Sequence, residues 1–389
     1  MQILTRVIEV RLKSLIGKNK VLLILGTRRV GKTVLINKLV KEYDKQVIVL
    51  NGEDMDTQEI LRQRTAANYK RIAGDAQLLV IDEAQAIPET GKVLKLMIDS
   101  LPKLTIIATG SSSFDLLNKA GEPLTGRKIQ FQLYPVAQME LESRENFVET
   151  RQHLEERLIF GSYPEILQLP SYREKEEYLQ ELIQSYLLKD ILAFEGIRQS
   201  NKIMKLLRLI AFQTGSEVSY NELGNQLGIS KNTVESYLDL LSKVFLIYRL
   251  PAYSTNQRKE ISKGSKWYFA DNGIRNAIAG NLRLLNLRQD AGSLWENYLL
   301  SERIKRNSYL HEYVQYYFWR NYDQQEVDLI ELKQGRLHAW EFKYNNNKKV
   351  KIPTAFSTAY PEALFDCITK DNYLDWITVG KQKKLPCKE

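Results

Sequence analysis

Cysteine is scarce in this chain of 389 residues, and the two that occur, Cys367 and Cys387, both lie near its C-terminal end. Two cysteines so placed are too few and too late for a disulfide framework or for a cysteine-type zinc site. Their scarcity therefore excludes a fold that depends on disulfides and a zinc centre built on thiolates. We expect the protein to work in a reducing compartment, which makes it cytoplasmic.

Long apolar runs are also missing, because no stretch of the sequence reaches the length of a membrane span. The stretch from Met1 to Ile16 has apolar residues at a helical spacing, but charged side chains interrupt it, unlike the apolar centre of a signal peptide. The interrupting residues are Arg6, Glu9, Arg11 and Lys13. This pattern predicts an amphipathic helix that packs on the following domain, with binding to a membrane surface as the alternative. We expect no membrane partner.

Basic residues exceed acidic ones, with 56 Lys and Arg against 47 Asp and Glu, which gives a net charge of +9 and an isoelectric point of about 9.2. This excess suits a nucleic-acid partner, although many unrelated cytosolic proteins share it. The length and the apolar content of 43% are enough for several buried cores. We therefore expect roughly two to four domains.

A complete phosphate-binding loop lies near the N-terminal end, between the apolar run Val21 to Leu25 and a helix-like stretch from Val34 to Tyr43. Its residues are Gly26, Thr27, Arg28, Arg29, Val30, Gly31, Lys32 and Thr33. The glycines allow the backbone to wrap closely around a phosphate, and successive N–H groups at a helix start favour negative charge. Lys32 would reach the β- and γ-phosphates, and Thr33 would be a ligand of Mg²⁺. The predicted ligand is a magnesium nucleoside triphosphate, ATP; a glycine turn without a ligand is the structural alternative.

A second motif follows the apolar run Leu78 to Ile81, which reads as a buried strand and ends at Asp82 and Glu83. Asp82 at the end of the strand would bind Mg²⁺ through its water shell. Glu83 would polarise a water molecule for attack on the γ-phosphate. The alternative is an ordinary exposed acidic pair after a core strand. Together with the loop, the pair predicts hydrolysis of ATP.

A third strand, Leu104 to Ala108, ends in a polar cluster that runs from Thr109 to Ser113. A polar side chain at this position would contact the γ-phosphate or the attacking water, and Ser111 is the preferred candidate over Thr109. The alternative is a serine-rich turn that caps the helix beginning near Phe114.

Arg127 precedes an alternating strand from Lys128 to Leu133. An arginine at this position would serve as an arginine finger, either in its own subunit or in a neighbouring subunit of a homo-oligomer. A solvated surface arginine is the alternative.

These motifs together resemble the prokaryotic AAA-type ATPases that carry a C-terminal DUF4143 domain, the AAA_14/DUF4143 architecture. The resemblance rests on Gly-x-Arg-Arg-x-Gly-Lys-Thr, Ile-Asp-Glu-Ala-Gln, Thr-Gly-Ser-Ser-Ser, a Gly-Arg pair and Tyr134-Pro135, and it spans nearly the whole chain. It implies an α/β fold with a P-loop NTPase (ASCE/AAA-like) parallel sheet of strand order 5-1-4-3-2. It also implies a helical segment, a winged-helix-like module and a C-terminal domain similar to the PD-(D/E)xK nucleases. We place these four parts at residues 1–140, 141–214, 215–285 and 286–389.

Within the third part, the sequence predicts a helix-turn-helix: a helix from Asn221 to Leu227, a turn at 228–230, and a second helix from Lys231 to Val244. Ser230 would cap the second helix, whose first residues would face a DNA groove. A hairpin across the basic loop 257–264 would form a wing. The alternative is a purely structural module that contacts the nucleotide domain.

The last hundred or so residues contain a weaker constellation of Glu296, Asp328, Glu341 and Lys343. In an extended strand Glu341 and Lys343 point to the same face, beside Asp328 from the neighbouring strand. Asp328 and Glu341 would hold Mg²⁺, Glu296 would support the metal from a helix, and Lys343 would orient or deprotonate water. This arrangement resembles the PD-(D/E)xK site, although such a fold also survives as a binding module.

Two functions therefore remain open. The first is a Mg²⁺-dependent ATPase that processes DNA with its own metal-dependent nuclease. The second is a nucleotide-gated binding or regulatory ATPase, whose C-terminal domain recognises nucleic acid or a protein partner without cleaving it.

Overall fold

The computed structural model describes residues 4–111, 124–187, 200–254, 264–345 and 350–379. The chain forms two compact units. The first contains Met1–Pro135 with Lys243–Phe245, and the second contains Val136–Ser242 with Leu246–Glu389. The helical, winged-helix-like and nuclease-like parts expected from the sequence thus lie almost entirely in the second unit. Among the described residues, none of the helices combines the length and apolar character that crossing a bilayer requires.

The first unit is built on a five-stranded sheet in which every neighbouring pair is parallel. Its strands are β1 (Val21–Leu25), β2 (Val47–Asn51), β3 (Leu78–Asp82), β4 (Thr105–Gly110) and β5 (Lys128–Gln132). The order across the sheet is β2-β3-β4-β1-β5, which is the order 5-1-4-3-2 read from the other edge. The central strands are continuous apolar runs because helices cover both faces of such a sheet. The predicted fold class and strand order are confirmed.

Helices of the first unit occur where apolar side chains repeat at helical spacing. They are α1 (Ile8–Leu15), α2 (Lys32–Glu42), α3 (Met55–Arg62), α4 (Ala66–Ala73) and α5 (Thr90–Ser100), with a 3-10 turn at Ala84–Ala86. The predicted N-terminal helix is present as α1, and it buries Ile8 and Leu12. The core of the unit lies between the sheet and these helices, so the carboxyl ends of β1, β3 and β4 meet at one edge.

The second unit begins with helices, in line with the helical segment expected at residues 141–214. Its helices are α6 (Gln138–Leu141), α7 (Phe147–Gln152), α8 (Leu154–Phe160), α9 (Tyr172–Glu181), α10 (Ser200–Phe212), α11 (Tyr220–Leu227), α12 (Lys231–Lys243), α13 (Asn272–Ala279), α14 (Ala291–Tyr309), α15 (Thr354–Ala359) and α16 (Tyr373–Ile377). A π-helix at Leu182–Leu187 and a 3-10 turn at Leu285–Leu287 complete the helical elements of its described part.

Two sheets organise the rest of the second unit. Their strands are β6 (Glu217–Val218), β7 (Ile247–Pro251), β8 (Ser265–Phe269), β9 (Gln315–Arg320), β10 (Glu326–Lys333), β11 (Arg336–Phe342) and β12 (Leu364–Ile368). The three-stranded sheet has the order β6-β8-β7 and the four-stranded sheet the order β12-β11-β10-β9. Beyond the end of β7, Ala252 forms a parallel bridge with Phe318 of β9, and Tyr253 N donates to Phe318 O at 2.7 Å. The two sheets are therefore joined at this edge.

The predicted helix pair is present as α11 and α12. Gly228 ends α11 in the left-handed region, with φ 63°, and Ser230 Oγ accepts a hydrogen bond from Thr233 N at 3.1 Å, so Ser230 caps α12 as predicted. The predicted hairpin is present as the antiparallel pair β7 and β8. The basic residues expected in the wing, among them Arg258, Lys259 and Lys263, lie outside the described residues.

Candidate functional site

The phosphate-binding loop connects β1 to α2, and two features of its backbone fix its shape. Gly31 precedes α2 in the left-handed region with φ 95°, and Arg29 also has a positive φ of 65°. Gly26 lies so close to the neighbouring strand end that a Cβ atom there would come within 2.2 Å of Leu133 O. The motif therefore needs its first glycine for space and its second for conformation.

Lys32 is buried, with 5% of its surface exposed. Its ammonium donates to two carbonyl oxygens of the loop, Gly26 O at 2.9 Å and Thr27 O at 3.0 Å. The N–H groups of the first turn of α2 have no partner within the helix, because each lacks a carbonyl four residues earlier in the helical register. A buried ammonium and a helix start thus face the same loop, which fits a phosphate ligand.

Thr33 and Asp82 supply the oxygens that Mg²⁺ prefers. Thr33 Oγ1 donates to Asp82 Oδ2 at 2.7 Å, so a hydroxyl and a carboxylate from two separate motifs share one position. A site with this donor set, next to Lys32, fits the magnesium nucleotide expected from the sequence.

At the end of β4, the polar residue that contacts the acidic pair is Thr109. Thr109 Oγ1 donates to Asp82 Oδ1 and accepts a hydrogen bond from Glu83 N at 3.0 Å. The sequence interpretation preferred Ser111, which is buried two residues further along. Strand register is the signal that favours Thr109: Ile81 pairs with Ala108, so the next residues of the two parallel strands, Asp82 and Thr109, lie side by side.

Glu83 occupies the left-handed region, with φ 51°. Its backbone lies close to Gly52, where a Cβ atom would come within 2.4 Å of Glu83 O. Gln85 Nε2 donates to Glu83 Oε2, while Gln85 Oε1 is buried without a hydrogen-bond partner among the residues that the structure describes. The direction of the Glu83 carboxylate is thus set by strained backbone and by one side-chain donor. Gln85 belongs to the Ile-Asp-Glu-Ala-Gln motif, but its contact with Glu83 becomes visible only in the structure.

Arg127 lies beside the amino end of β1, whereas the phosphate-binding loop follows the carboxyl end of the same strand. Val21 N, at the amino end of β1, donates to Arg127 O at 2.9 Å. The length of β1 separates Arg127 from the loop by roughly 16 Å at about 3.3 Å per residue. Arg127 is instead paired with Asp99 of α5. The expected role as an arginine finger in its own subunit is therefore wrong, because the strand holds the side chain at the wrong end.

In the sequence, Arg6 stands out only as a charged residue that interrupts an apolar pattern. In the structure it contacts the phosphate-binding loop. It is buried, with 5% of its surface exposed. Arg6 Nη1 donates to Val30 O at 2.8 Å, and Nη2 donates to Tyr134 O at 2.7 Å. A charged residue that interrupts an apolar helical pattern just before a nucleotide-binding motif was the available signal.

In the second unit, Asp328 and Glu341 are neighbours, as the alternation predicts. Leu329 pairs with Trp340 across the antiparallel strands β10 and β11, which places Asp328 opposite Glu341. Asp328 Oδ2 accepts a hydrogen bond from Phe342 N at 2.8 Å. Burial raises the pKa of Asp328 well above its ordinary value, and the nearby carboxylates of Glu296 and Glu341 raise it further. Lys343 Nζ donates to Glu341 Oε1 at 2.6 Å.

Glu296 has partners that the sequence analysis did not foresee. Tyr268 of β8 donates to Glu296 Oε1 at 2.5 Å, and Lys266 Nζ lies 3.6 Å from the same oxygen. Lys266 also contacts Glu326 of β10. Burial raises the pKa of Glu296, and the Lys266 ammonium acts against this rise.

The metal centre expected from Glu296, Asp328 and Glu341 is not formed. Within the described part of the chain, no three His, Cys, Asp or Glu side chains are arranged to hold a metal ion. One oxygen of each carboxylate has a partner within the protein: Glu296 contacts Tyr268 and Lys266, Asp328 accepts from the backbone of β11, and Glu341 accepts from Lys343. These residues do not fit a resident metal in this arrangement.

Several known proteins are similar to this chain. An uncharacterised protein of Methanocaldococcus jannaschii is 26% identical over 416 aligned positions, covering 99% of this chain and 89% of that protein. An uncharacterised protein of Haemophilus influenzae is 24% identical and covers 66% of this chain and 68% of that protein. Among solved structures, the Walker-type ATPase of Pyrococcus abyssi is 19% identical, covers 71% of this chain and 96% of that chain, and has a TM-score of 0.45.

Three family models match successive segments. An AAA domain matches residues 18–142, and a domain of unknown function, DUF8612, matches residues 151–285. A second domain of unknown function, DUF4143, matches residues 291–375. The first match covers the phosphate-binding loop, the acidic pair and the five-stranded sheet, and the last covers Glu296, Asp328 and Glu341. The chain therefore combines a segment that matches the AAA domain family with a C-terminal segment that matches DUF4143.

Proposed function

We propose that this protein hydrolyses ATP with Mg²⁺ at the loop between β1 and α2. The observation that carries the proposal is the meeting of Thr33 Oγ1 and Asp82 Oδ2 at 2.7 Å, in a loop that also contains the buried ammonium of Lys32. When bound, Mg²⁺ would neutralise charge on the phosphate oxygens. Thr33 and Asp82 are the residues that would hold it.

The remaining side chains of the site have separable roles. Lys32 would exchange its two carbonyl partners for phosphate oxygens, which are stronger acceptors for an ammonium. Glu83 would take the proton of the attacking water as a general base. Thr109 fixes both acids, because its hydroxyl bonds to Asp82 and to the backbone of Glu83. Gln85 would hold the Glu83 carboxylate in one direction through its amide N–H.

We further propose that hydrolysis is coupled to nucleic acid, with DNA as the expected partner. The net charge of +9 supports attraction to phosphate backbones. The start of α12 supports a contact surface, because Lys231 and Asn232 are exposed after the cap at Ser230. In a helix-turn-helix, residues at this position reach base edges and phosphates.

A second candidate function is recognition without cleavage by the C-terminal domain. The observation in its favour is Lys266, whose ammonium lies 3.6 Å from Glu296, one of the carboxylates expected at a nuclease metal site, and also contacts Glu326. A cleavage assay on linear, nicked and branched DNA tests this candidate. We expect no Mg²⁺-dependent products; products that disappear in Asp328→Ala would instead establish a nuclease.

ATP turnover and DNA binding measured on the same protein test the main proposal. Turnover should require Mg²⁺ and should change when DNA is added, and affinity for DNA should fall steeply as salt rises, because phosphate contacts release counterions. Charge removal at Arg258, Lys259 and Lys263 should flatten the salt dependence. Removal of three exposed lysines of the first unit, Lys41, Lys45 and Lys103, is the matched control. Turnover without any effect of DNA, together with no binding at low salt, would favour a protein partner.

A further inference from the structure

We propose that the ammonium of Lys266 is the permanent cation of an acidic group formed by Glu296, Glu326 and Asp328, so that this part of the DUF4143 region is built to work without a metal ion. The inference goes beyond ATP hydrolysis and does not depend on it. It rests on the position of one lysine that no motif of the sequence singles out.

Lys266 is one of the most deeply buried side chains of the described residues, with 1% of its surface exposed. Its Nζ contacts Glu326 Oε1, lies 3.6 Å from Glu296 Oε1, and lies 5.3 Å from the centre of the Phe318 ring. A buried ammonium without counter-charges is strongly unfavourable, whereas one that is paired and hydrogen-bonded is tolerated. The carboxylates are therefore what keeps Lys266 charged inside the protein.

The acidic group needs the ammonium equally. Burial raises the pKa of both Glu296 and Asp328, and the Lys266 ammonium lowers both. For Lys266 itself, burial lowers the pKa, but attraction by Glu296, Glu326 and Asp328 brings it above its ordinary value. Each side of this contact thus favours the charged form of the other.

Other polar and charged side chains near the acidic group lie on β8, β9 and β11. Lys343 of β11 pairs with Glu341 at 2.6 Å, and Arg320 Nε of β9 lies 3.6 Å from Glu326 Oε2. Tyr268 of β8 adds a neutral donor to Glu296. Of these groups, Lys266 is the one whose charge attracts all three members of the acidic group, and its Nζ contacts Glu326 and lies 3.6 Å from Glu296.

The backbone keeps Lys266 at this position. It lies in β8, the central strand of the three-stranded sheet, where it pairs with Glu217 of β6 and with Leu250 of β7. The acidic residues lie on α14 and β10, so the ion pairs connect the three-stranded sheet to the helix and to the four-stranded sheet. A divalent ion would have to displace an ammonium whose strand is hydrogen-bonded on both sides.

Tryptophan fluorescence reports on this part of the full-length protein, because all five tryptophans lie between Trp267 and Trp376. Thermal unfolding would be followed with Mn²⁺ or with EDTA in the wild type, in Lys266→Met and in Lys333→Met. Lys333 is the matched control, since it lies on β10 in an ion pair with Glu312 and 46% of its side chain is exposed.

We expect Mn²⁺ to leave the wild-type and Lys333→Met transitions unchanged. Lys266→Met should lower the melting temperature by about 10 °C, because it leaves buried carboxylates without their cation. Mn²⁺ should restore part of this loss, and Asp328→Asn in the same chain should abolish the restoration. Lys266→Arg should melt closer to the wild type, because it keeps the charge.

Two results would overturn the proposal. One is a rise in the wild-type melting temperature with Mn²⁺ that Asp328→Asn removes, since a metal would then bind while Lys266 is present. The other is Lys266→Met that melts like the wild type. If Lys266→Met does not fold, the wild type and Asp328→Asn alone decide the question, because an absent Mn²⁺ effect in both supports a site already filled.

Discussion

The hydroxyl oxygen of Thr33 lies 2.7 Å from a carboxylate oxygen of Asp82, although the two residues are 49 positions apart in the sequence. Thr33 lies in the first turn of α2, which follows β1, and β4 lies between β1 and β3 in the sheet. The contact therefore spans the end of β4, where the hydroxyl of Thr109 also donates a hydrogen bond to Asp82. One helix start and two strand ends thus contribute to one site.

Replacement of Lys32 by alanine should weaken nucleotide binding about 10- to 100-fold, because one charge-assisted hydrogen bond to phosphate accounts for roughly 1.5 to 3 kcal/mol. Calorimetric titration with a non-hydrolysable ATP analogue measures the loss. Lys45→Ala is the control, since Lys45 is an exposed lysine bound to Gln77 on the same unit. Equal affinities of the wild type and Lys32→Ala would mean that ATP binds elsewhere.

Glu83→Gln should separate binding from turnover. The amide keeps the size of the side chain and can still accept the hydrogen bond from Gln85, but it cannot take a proton from water. We expect kcat to fall by about 100-fold or more, while nucleotide affinity changes by less than about threefold. Steady-state turnover and a filter-binding measurement on the same preparation test both halves. A wild-type rate would show that another residue is the base.

Comparison of Thr109→Val with Ser111→Ala decides which residue at the end of β4 supports the acidic pair. Valine keeps the shape of Thr109 but removes the hydroxyl that bonds to Asp82 Oδ1 and to the Glu83 N–H, so we expect kcat to fall about tenfold. The change in Ser111→Ala should be smaller. Both rates are measured at saturating ATP. A larger fall in kcat for Ser111→Ala would indicate that Ser111, as the sequence predicts, is the residue that contacts the γ-phosphate or the attacking water.

Arg127→Ala should leave ATP turnover of the dilute protein unchanged, because Arg127 lies at the far edge of the sheet from the loop. Its exposed ion pair with Asp99 contributes at most about 1 kcal/mol to stability. Turnover per molecule measured over a range of protein concentrations tests a role between subunits. A rate that rises with concentration in the wild type and not in Arg127→Ala would establish such a role. Loss of turnover in monomeric Arg127→Ala would contradict the position described here.

Asp290 should make stability depend on pH in the acid range. Burial raises the pKa of Asp290, but hydrogen bonds from Arg288 and Arg275 outweigh burial and bring the pKa well below its ordinary value. The folded state therefore holds the charged form, and its stabilisation is complete above the unfolded pKa of about 4 and is lost as pH falls below it. Asp290→Asn should destabilise the protein by about 2 kcal/mol at pH 7.

The difference in unfolding free energy between the wild type and Asp290→Asn should shrink as pH falls from about 4 to about 2. Urea unfolding followed by tryptophan fluorescence at several pH values measures it. Asp375→Asn is the control, because Asp375 is exposed. A difference that stays constant over this range would show that Asp290 is not held in its charged form.

The sequence was sufficient for those features that depend on residues close together along the chain. The loop around Lys32, the strand before it and the acidic pair after β3 form local patterns, and the structure has them where they were expected. Strand order came from the family resemblance. The choice between Thr109 and Ser111 needed the register of β3 against β4, which a single strand does not encode.

The C-terminal acidic group shows why tertiary contacts limit such predictions. The alternation in β11 correctly placed Glu341 beside Asp328. Lys266 could not be foreseen, because it reaches Glu326 from 60 positions away and from a different sheet. Spacing between acidic residues predicts which carboxylates lie close together. It does not predict which basic side chain from a distant part of the chain pairs with them.

The bridge between Ala252 and Phe318 bears on how this protein can be divided and recombined. The DUF4143 match begins at residue 291, yet β9 of that segment is hydrogen-bonded to the chain that follows β7. Cutting at the family boundary would expose backbone groups on an edge strand, and such edges associate with other chains. In chimeras of homologous proteins, residues 151–285 and 291–375 should therefore be transferred together.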